Sequence, residues 1–188
     1  MKREESFEER LIRNCAATLA GLKTACIYNV DGSDPALIQS EVERLNRSLN
    51  RKGIYLLRIG RCKHCELIYV YRKSALERDL KRPGVWEILS ACGYSTTGLP
   101  GALRKLGRRL NGYCCFPHEI GLFLGFPVED VREYILQDGQ NCKLTGFWKV
   151  YGDTEEAERI FARFRKCNSV YCRLIGFGRS AEDLTVAA

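Results

Sequence analysis

The sequence lacks several patterns that would identify a class of protein. It has only two histidines, one methionine and five prolines among 188 residues. No segment approaches the run of about 18 apolar residues that a membrane helix needs. The start "MKREESFEER" is charged where a signal peptide becomes apolar. We therefore expect a cytosolic protein that makes no contact with a membrane.

Catalytic and cofactor signatures are also missing. No Gly-rich phosphate fingerprint follows a predicted strand, and no H-E-x-x-H motif is present. A second C-x-x-C, which a four-cysteine zinc or iron–sulfur site would use, is absent. No nucleophile and base stand at a recognisable spacing, but residues distant in sequence can meet in a fold. The sequence leaves open whether the protein is an enzyme.

What the chain does contain is cysteine and positive charge. Its ten cysteines are expected to be reduced thiols without an export signal, several of them buried as small apolar residues. With 45% hydrophobic and 28% charged residues, the composition is that of an ordinary globular protein. The length favours one domain over residues 1–188. The net charge of +7 permits an anionic partner.

Hydrophobic periodicity predicts the first half of the fold. Apolar residues at three- and four-residue spacing indicate a helix from Phe7 to near Gly21, then a second helix that ends at Gly53. The runs "TACIYNV", "GIYLLRIG" and "ELIYVYR" predict strands, the last two as a hairpin. The predicted buried face of the second helix consists of Leu37, Ile38, Val42, Leu45 and Leu49.

The second half is predicted to be mostly helical. "SALERDLKRPGVWEILSACG" indicates two short helices divided at Arg82, because the residue before Pro83 is pushed out of the helical region. "LPGALRKLGRRLNG" predicts another helix, "FWKVYG" a last strand, and Asp153–Glu156 a capping box. This order favours an α+β domain with a small, mostly antiparallel sheet covered by helices and a helix-rich C-terminal half.

The predicted hairpin turn carries Cys62 and Cys65 in a C-x-x-C motif. Two thiolates at this spacing suit a shared metal ion or a redox pair. His64 lies between them, where binding the same ion would be strained. A hairpin turn with incidental cysteines is the favoured interpretation.

A basic helix is the clearest electrostatic feature. Arg104, Lys105, Arg108 and Arg109 lie on one side without an intervening acid. They suit binding to phosphates or to an acidic protein face. The alternative is a solvated face with some salt bridges.

The stretch "CCFPHEIGLFLGFP" is a candidate metal site. His118 and Glu119 follow Pro117 at a predicted helix start, just after Cys114 and Cys115. Imidazole and thiolate are good ligands for zinc or iron. Further ligands would have to come from afar. In the alternative interpretation, His118 caps the helix and Glu119 interacts with the helix dipole. The other thiols available are Cys142, Cys167 and Cys172.

The segment from Glu119 to Ile135 also resembles a helix-turn-helix unit. Its second helix would present four acids and one arginine, Arg132, to DNA. This excess of negative charge opposes binding to phosphates. We predict the helix pair without a DNA-binding role. The four acids are Glu129, Asp130, Glu133 and Asp138.

The segments "FPHEIGLFLGFPVEDV", "GFWKVYGD", "TLAGLKT" and "LTVAA" resemble a clostridial family of unknown function, DUF 3793, with hallmark motifs PHEIG and LGYP. The resemblance runs almost end to end, with Phe126 in place of the tyrosine. It implies an association with iron or redox metabolism in anaerobes. The candidate functional positions that it implies are His118, Glu119, Cys142, Lys149, Tyr151 and Cys167.

Two hypotheses follow. In the first, the protein binds a metal ion or an iron-containing cofactor, with iron or zinc held by His118, Cys142 and Cys167. In the second, it is a non-enzymatic adaptor or regulator whose basic helix binds an acidic protein such as a flavodoxin, or less favourably a nucleic acid.

Overall fold

The computed structural model describes residues 5–62, 64–95, 98–111 and 117–187. Its elements confirm the α+β prediction, with helices covering a small antiparallel sheet and a helix-rich C-terminal half. In chain order they are α1 (Phe7–Leu19), β1 (Ala25–Asp31), α2 (Pro35–Leu49), β2 (Ile54–Cys62), β3 (Cys65–Arg72), α3 (Lys73–Asp79), α4 (Val85–Ala91), α5 (Gly98–Leu110), α6 (Ile120–Phe123), α7 (Val128–Leu136), β4 (Leu144–Thr145), β5 (Lys149–Val150), α8 (Thr154–Gly176) and α9 (Ala181–Leu184).

The main sheet has the strand order β1-β3-β2, and both pairings are antiparallel. Side chains of the central strand β3 alternate between two core clusters, as the pleat of a strand requires. Leu67 and Tyr69 pack with residues of α3 to α7. Ile68 and Val70 pack on the opposite face with residues of α1, α2, α8 and α9. β3 is therefore buried on both faces, which explains its unbroken apolar and aromatic sequence.

Strand β2 lies at an edge of this sheet, and asparagine side chains cover its free backbone groups. Asn46 of α2 accepts a hydrogen bond from the Leu56 N–H at 2.8 Å and donates one to the Leu56 carbonyl at 2.9 Å. Asn111 accepts from the Arg61 N–H at 2.8 Å. Uncovered edge strands invite pairing with other chains. The two asparagines block that pairing at both ends of β2.

Arg72 ties the end of α1 to the C-terminal segment inside the protein. Its side chain is buried and donates to the carbonyl oxygens of Thr18, Leu19 and Val186, each at 2.7 Å. The first two carbonyls lie at the end of α1, where backbone acceptors lack helical partners. Burial lowers the pKa of Arg72. One guanidinium thus satisfies the end of a helix and fastens the C-terminal segment.

Several local predictions need correction. Leu37 is 59% exposed, because it lies about 100° around the helix from Ile38, outside the stripe that α2 buries. The predicted strand "FWKVYG" contributes only the two-residue β5, paired with β4. Only half of the predicted capping box forms at the start of α8: Asp153 accepts from the Glu156 N–H at 3.0 Å, while the Glu156 carboxylate pairs with Arg159 at 2.7 Å. The division of two helices at Arg82 is confirmed.

Seven cysteines are free thiols: Cys15, Cys26, Cys65, Cys92, Cys142, Cys167 and Cys172. The hairpin prediction is confirmed, with Cys62 and Cys65 as backbone partners at its end. Cys114 and Cys115 lie outside the described residues. Within the described ranges, no helix combines the length and apolar character that crossing a membrane would demand.

Candidate functional site

The segments "PHEIG", "LGFP" and "FWK" converge on one cavity of about 270 Å³, which we call the PHEIG cavity. α6 and α7 form one wall, and the β4–β5 hairpin forms the other. The residues at its rim and walls are mostly apolar or aromatic. The lining residues that matter for its chemistry are His118, Phe126, Asp130, Tyr134, Trp148 and Lys149.

Two glycines allow α6 and α7 to pack closely. Gly125 has φ +78°, and a Cβ there would lie 2.6 Å from the Thr24 hydroxyl oxygen. A Cβ on Gly121 would lie 2.7 Å from a methyl carbon of Val131. At Gly125 only glycine avoids both the strain of a positive φ and the clash with Thr24, since it has no side chain. The predicted helix pair is confirmed, and its glycines have a structural explanation.

Asp130 joins α7 to the hairpin and orients the cavity's indole ring. Its Oδ2 accepts from Trp148 Nε1 at 2.8 Å, while its Oδ1 accepts from the backbone N–H groups of Tyr151 and Gly152 at 2.8 and 2.9 Å. The side chain is buried. Sequence reasoning treated Asp130 as a surface acid. The segment "FPVEDV" gives little indication of this structural role, because the partners of Asp130 lie about twenty residues later in the sequence.

Aromatic rings form much of the cavity wall. Phe126 and Trp148 stack with ring centroids 5.2 Å apart and an interplanar angle of 28°. Phe161 of α8 meets Trp148 edge-on, with ring centroids 4.5 Å apart. Rings in such contacts are held rigidly and offer apolar surface to a ligand.

Besides the Asp130 carboxylate, the lining of the cavity carries two basic groups, Lys149 and His118. Lys149 donates from Nζ to the Gly139 carbonyl at 2.6 Å, and the same ammonium lies 5.8 Å from the Tyr134 ring centroid. His118 is exposed and meets Tyr134 edge-on at 5.1 Å. An ammonium has three donors, so Lys149 keeps capacity for a ligand. The cavity therefore combines an aromatic interior with a fixed cation and an imidazole.

Glu119 lies outside this cavity and anchors α5. It is 1% exposed, accepts from the Tyr94 hydroxyl at 3.0 Å and pairs with Arg109 Nε at 2.5 Å. Burial and the Glu119 charge raise the pKa of Tyr94. The interaction with a helix dipole that the sequence suggested is thus replaced by a buried ion pair.

This ion pair changes the interpretation of the basic helix. Arg109 already has a carboxylate partner, and Lys105 places its ammonium 5.9 Å from the Tyr94 ring centroid. Arg104 and Arg108 are exposed and form no ion pair with any residue of the described ranges. Two of the four predicted partner-binding cations are therefore engaged within the protein.

The proposed metal ligands do not assemble. Across the described part of the chain, no group of three His, Cys, Asp or Glu side chains is placed to hold a metal ion. His118 lines the PHEIG cavity, and Cys142 contacts the Thr145 hydroxyl at 3.3 Å beside it. Cys167 instead packs against the core cluster of α1 and α2, where burial raises its thiol pKa.

Tyr151 is a further motif position with a structural setting. Its ring is buried, and its hydroxyl has no hydrogen-bond partner among the described residues. Burial is the main cause that raises the pKa of Tyr151. Its backbone N–H bonds to Asp130, so the residue supports the wall and does not line the cavity.

Comparison with known proteins identifies the family. No curated protein and no solved structure matches the chain. A family model described as "Protein of unknown function (DUF3793)" matches residues 11–185 and so spans every element from β1 to α9. With a match over most of its length, the chain belongs to the DUF3793 family.

Proposed function

We propose that the PHEIG cavity binds a small organic ligand with an aromatic or other apolar body and one anionic group. The observation that carries the proposal is the convergence of three separate sequence segments on an apolar cavity with a basic rim. Ligand sites in proteins are typically concave and apolar, with a few polar groups that fix orientation.

Each part of this ligand has a matching part of the cavity. The stacked rings of Phe126 and Trp148 suit a flat apolar body. Lys149 suits the anion, because its contact with the Gly139 carbonyl holds the ammonium in place before a ligand arrives. A charge-assisted hydrogen bond from Lys149 would then fix the orientation of the ligand. His118 is a second donor at the rim.

The proposal concerns binding and not catalysis. Asp130 is the carboxylate among the described lining residues, and its two oxygens already accept three N–H donors. A general base needs a lone pair within reach of the proton that it removes. Asp130 is committed to structure, and we assign it no part in proton transfer.

Fluorescence of Trp148 tests the proposal. The protein has two tryptophans, and Trp86→Phe leaves Trp148 as the sole reporter. In this background we expect phenylacetate to change the emission saturably. Lys149→Met should weaken phenylacetate binding about tenfold, the effect of losing a hydrogen bond from a charged group. The neutral analogue phenylacetamide should bind both proteins alike.

Lys143→Met is the matched control for this test. Lys143 lies in the same hairpin region, donates to the Gly152 carbonyl at 3.2 Å and does not line the cavity. We expect it to leave the phenylacetate affinity unchanged. If the Lys143 and Lys149 variants lost phenylacetate affinity equally, the overall charge of the protein would explain the loss. Emission that responds to none of a panel of aromatic carboxylates would refute the proposal.

Metal binding in iron or redox metabolism is the alternative function that the sequence raised. It is supported by His118 at the cavity rim and Cys142 beside Thr145, whereas Cys167 lies elsewhere. We expect anaerobically purified protein to contain no stoichiometric iron or zinc. Stoichiometric metal that is lost in His118→Ala and Cys142→Ser, but kept in Cys167→Ser, would establish the alternative instead.

A second proposal places an acidic protein partner, such as a flavodoxin, at Arg104 and Arg108. Both side chains are exposed, and Arg104 borders a groove between α5 and β2 whose rim also carries Lys73. We expect salt-sensitive binding that Arg104→Glu with Arg108→Glu abolishes. The matched reversal of Arg163 and Lys166, exposed on α8, should have little effect. Binding that does not depend on salt would contradict this proposal.

A further inference from the structure

A second cavity, of about 470 Å³, shares the Phe126 and Trp148 rings with the PHEIG cavity. We call it the Lys23 cavity. Its walls come from residues 22–24, 82–83 and 124–129 and from α8. It therefore gathers the end of the segment "TLAGLKT", which the PHEIG cavity leaves unexplained. Phe126 and Trp148 are the two described residues that line both cavities.

Lys23 lines this cavity without a carboxylate partner. Its ammonium lies 5.2 Å from the Phe126 ring centroid, and the described residues offer it no ion pair within 4.0 Å. Burial is the main cause that lowers the pKa of Lys23, and the thiols of Cys26 and Cys15 are the ionisable groups that oppose this effect. Burying a cation is unfavourable unless an opposite charge or hydrogen-bond acceptors compensate it.

Arg82 supplies a second unused donor. Its Nη2 pairs with Asp79 Oδ1 at 2.9 Å, and Asp79 Oδ2 accepts from the Thr24 hydroxyl at 2.5 Å. The Asp79 carboxylate thereby positions the guanidinium beside the cavity. The buried Arg82 Nε has no hydrogen-bond partner in the described part of the chain. Burial removes the water molecule that would accept from such a donor, and here no protein acceptor replaces it, which is unfavourable.

The charges around the cavity favour an anion. Lys23 and Arg82 contribute two cations, and the exposed Glu129 is the acid that lines it. Asp79 offsets part of the Arg82 charge from outside the lining. α7 also begins on this wall at Val128, without a side-chain cap. Lys23 and Arg82 therefore line a cavity whose lining carries a net positive charge.

We propose that the Lys23 cavity is an anion site that holds a phosphate or carboxylate group between Lys23 Nζ and the guanidinium of Arg82. The anion supplies the counter-charge that Lys23 lacks and offsets the cost of its partly buried ammonium. The site does not depend on a ligand in the PHEIG cavity, because its two donors line only the Lys23 cavity.

Thermal unfolding at constant ionic strength tests the site, with inorganic phosphate and acetate titrated separately. We expect at least one anion to raise Tm saturably. Lys23→Met should weaken that anion at least tenfold, and Arg82→Met should weaken it also. Lys81→Met is the matched control, since Lys81 is exposed and does not line the cavity, and it should leave the affinity unchanged. A response to phosphate alone identifies a phosphate site, and a response to acetate identifies a carboxylate site.

Backbone amide shifts in the wild-type protein keep the test independent of variants that fail to fold. The anion should shift the amides of Lys23 and Gly125, which line the cavity, and leave that of Gly178 unchanged. Absence of saturable binding by both anions would overturn the proposal. Equal weakening in the Lys23 and Lys81 variants would overturn it too, because general surface charge would then explain the effect.

Discussion

Arg72 is the residue through which two of the recognised sequence segments act. "TLAGLKT" supplies Thr18 and Leu19, "LTVAA" supplies Val186, and their carbonyl oxygens all accept from this guanidinium. The two segments lie far apart in the sequence, but both provide carbonyl acceptors for the same side chain. Nothing in the strand "ELIYVYR" distinguished Arg72 from a surface arginine, because its partners are carbonyl groups that carry no sequence signal.

We predict that Arg72→Met lowers the free energy of unfolding by about 3 kcal/mol. The substitution keeps the apolar stem but removes three hydrogen bonds from a charged donor, each worth about 1.5 kcal/mol or more. The expected loss is smaller than their sum because the carbonyls of Thr18 and Leu19 each keep a backbone N–H donor. Urea denaturation measures the change. Arg78→Met, at an exposed position on α3, is the control and should stay within about 0.5 kcal/mol. Similar losses in both variants would mean that the buried contacts of Arg72 contribute little.

At the scale of elements, local patterns predicted the helices better than the last hairpin. The helices from α1 to α5 have apolar residues at three- and four-residue spacing, a pattern that is visible in the sequence itself. β4 and β5 have two residues each, which is too short for an alternating pattern. Tertiary contacts define that hairpin instead, chiefly the bonds from Asp130 to the backbone of Tyr151 and Gly152.

Asn46 makes the protection of β2 testable. We predict that Asn46→Ala lowers the free energy of unfolding by about 1 to 2 kcal/mol, because the Leu56 N–H and carbonyl lose their shared partner. The open edge should also promote concentration-dependent association, which light scattering measures. Asn50→Ala, an exposed asparagine at the end of α2, should change neither quantity. A stable, monomeric Asn46 variant would show that the edge is protected by other means.

At the scale of the molecule, the candidate sites lie between elements that are distant in sequence. The PHEIG cavity needs α6, α7 and the β4–β5 hairpin, and the Lys23 cavity adds the α1–β1 connection and α8. Sequence reasoning singled out His118 and Lys149 but assigned them to no common site. It assigned no binding role to Lys23 and used Arg82 only as a helix boundary, since an isolated lysine or arginine in a sequence does not indicate that its side chain lines a cavity.

The frequent cysteines of this chain do not come together at one site among the described residues. Cysteines are frequent in this sequence, yet the described thiols are spread over both core clusters and the surface. The number of cysteines in a sequence does not show whether their thiols lie close enough together to bind one metal ion. The two stacked rings of Phe126 and Trp148, which line both cavities, are the feature around which most of the recognised segments are gathered.

The measurement that tests the central claim most directly is the mapping of phenylacetate on the wild-type protein by backbone amide shifts. The account predicts saturable shifts at Gly121 and Gly146, which line the PHEIG cavity, with no change at Gly53 at the far end of α2. Shifts that are absent from both cavity glycines, or that spread evenly over the surface, would contradict it.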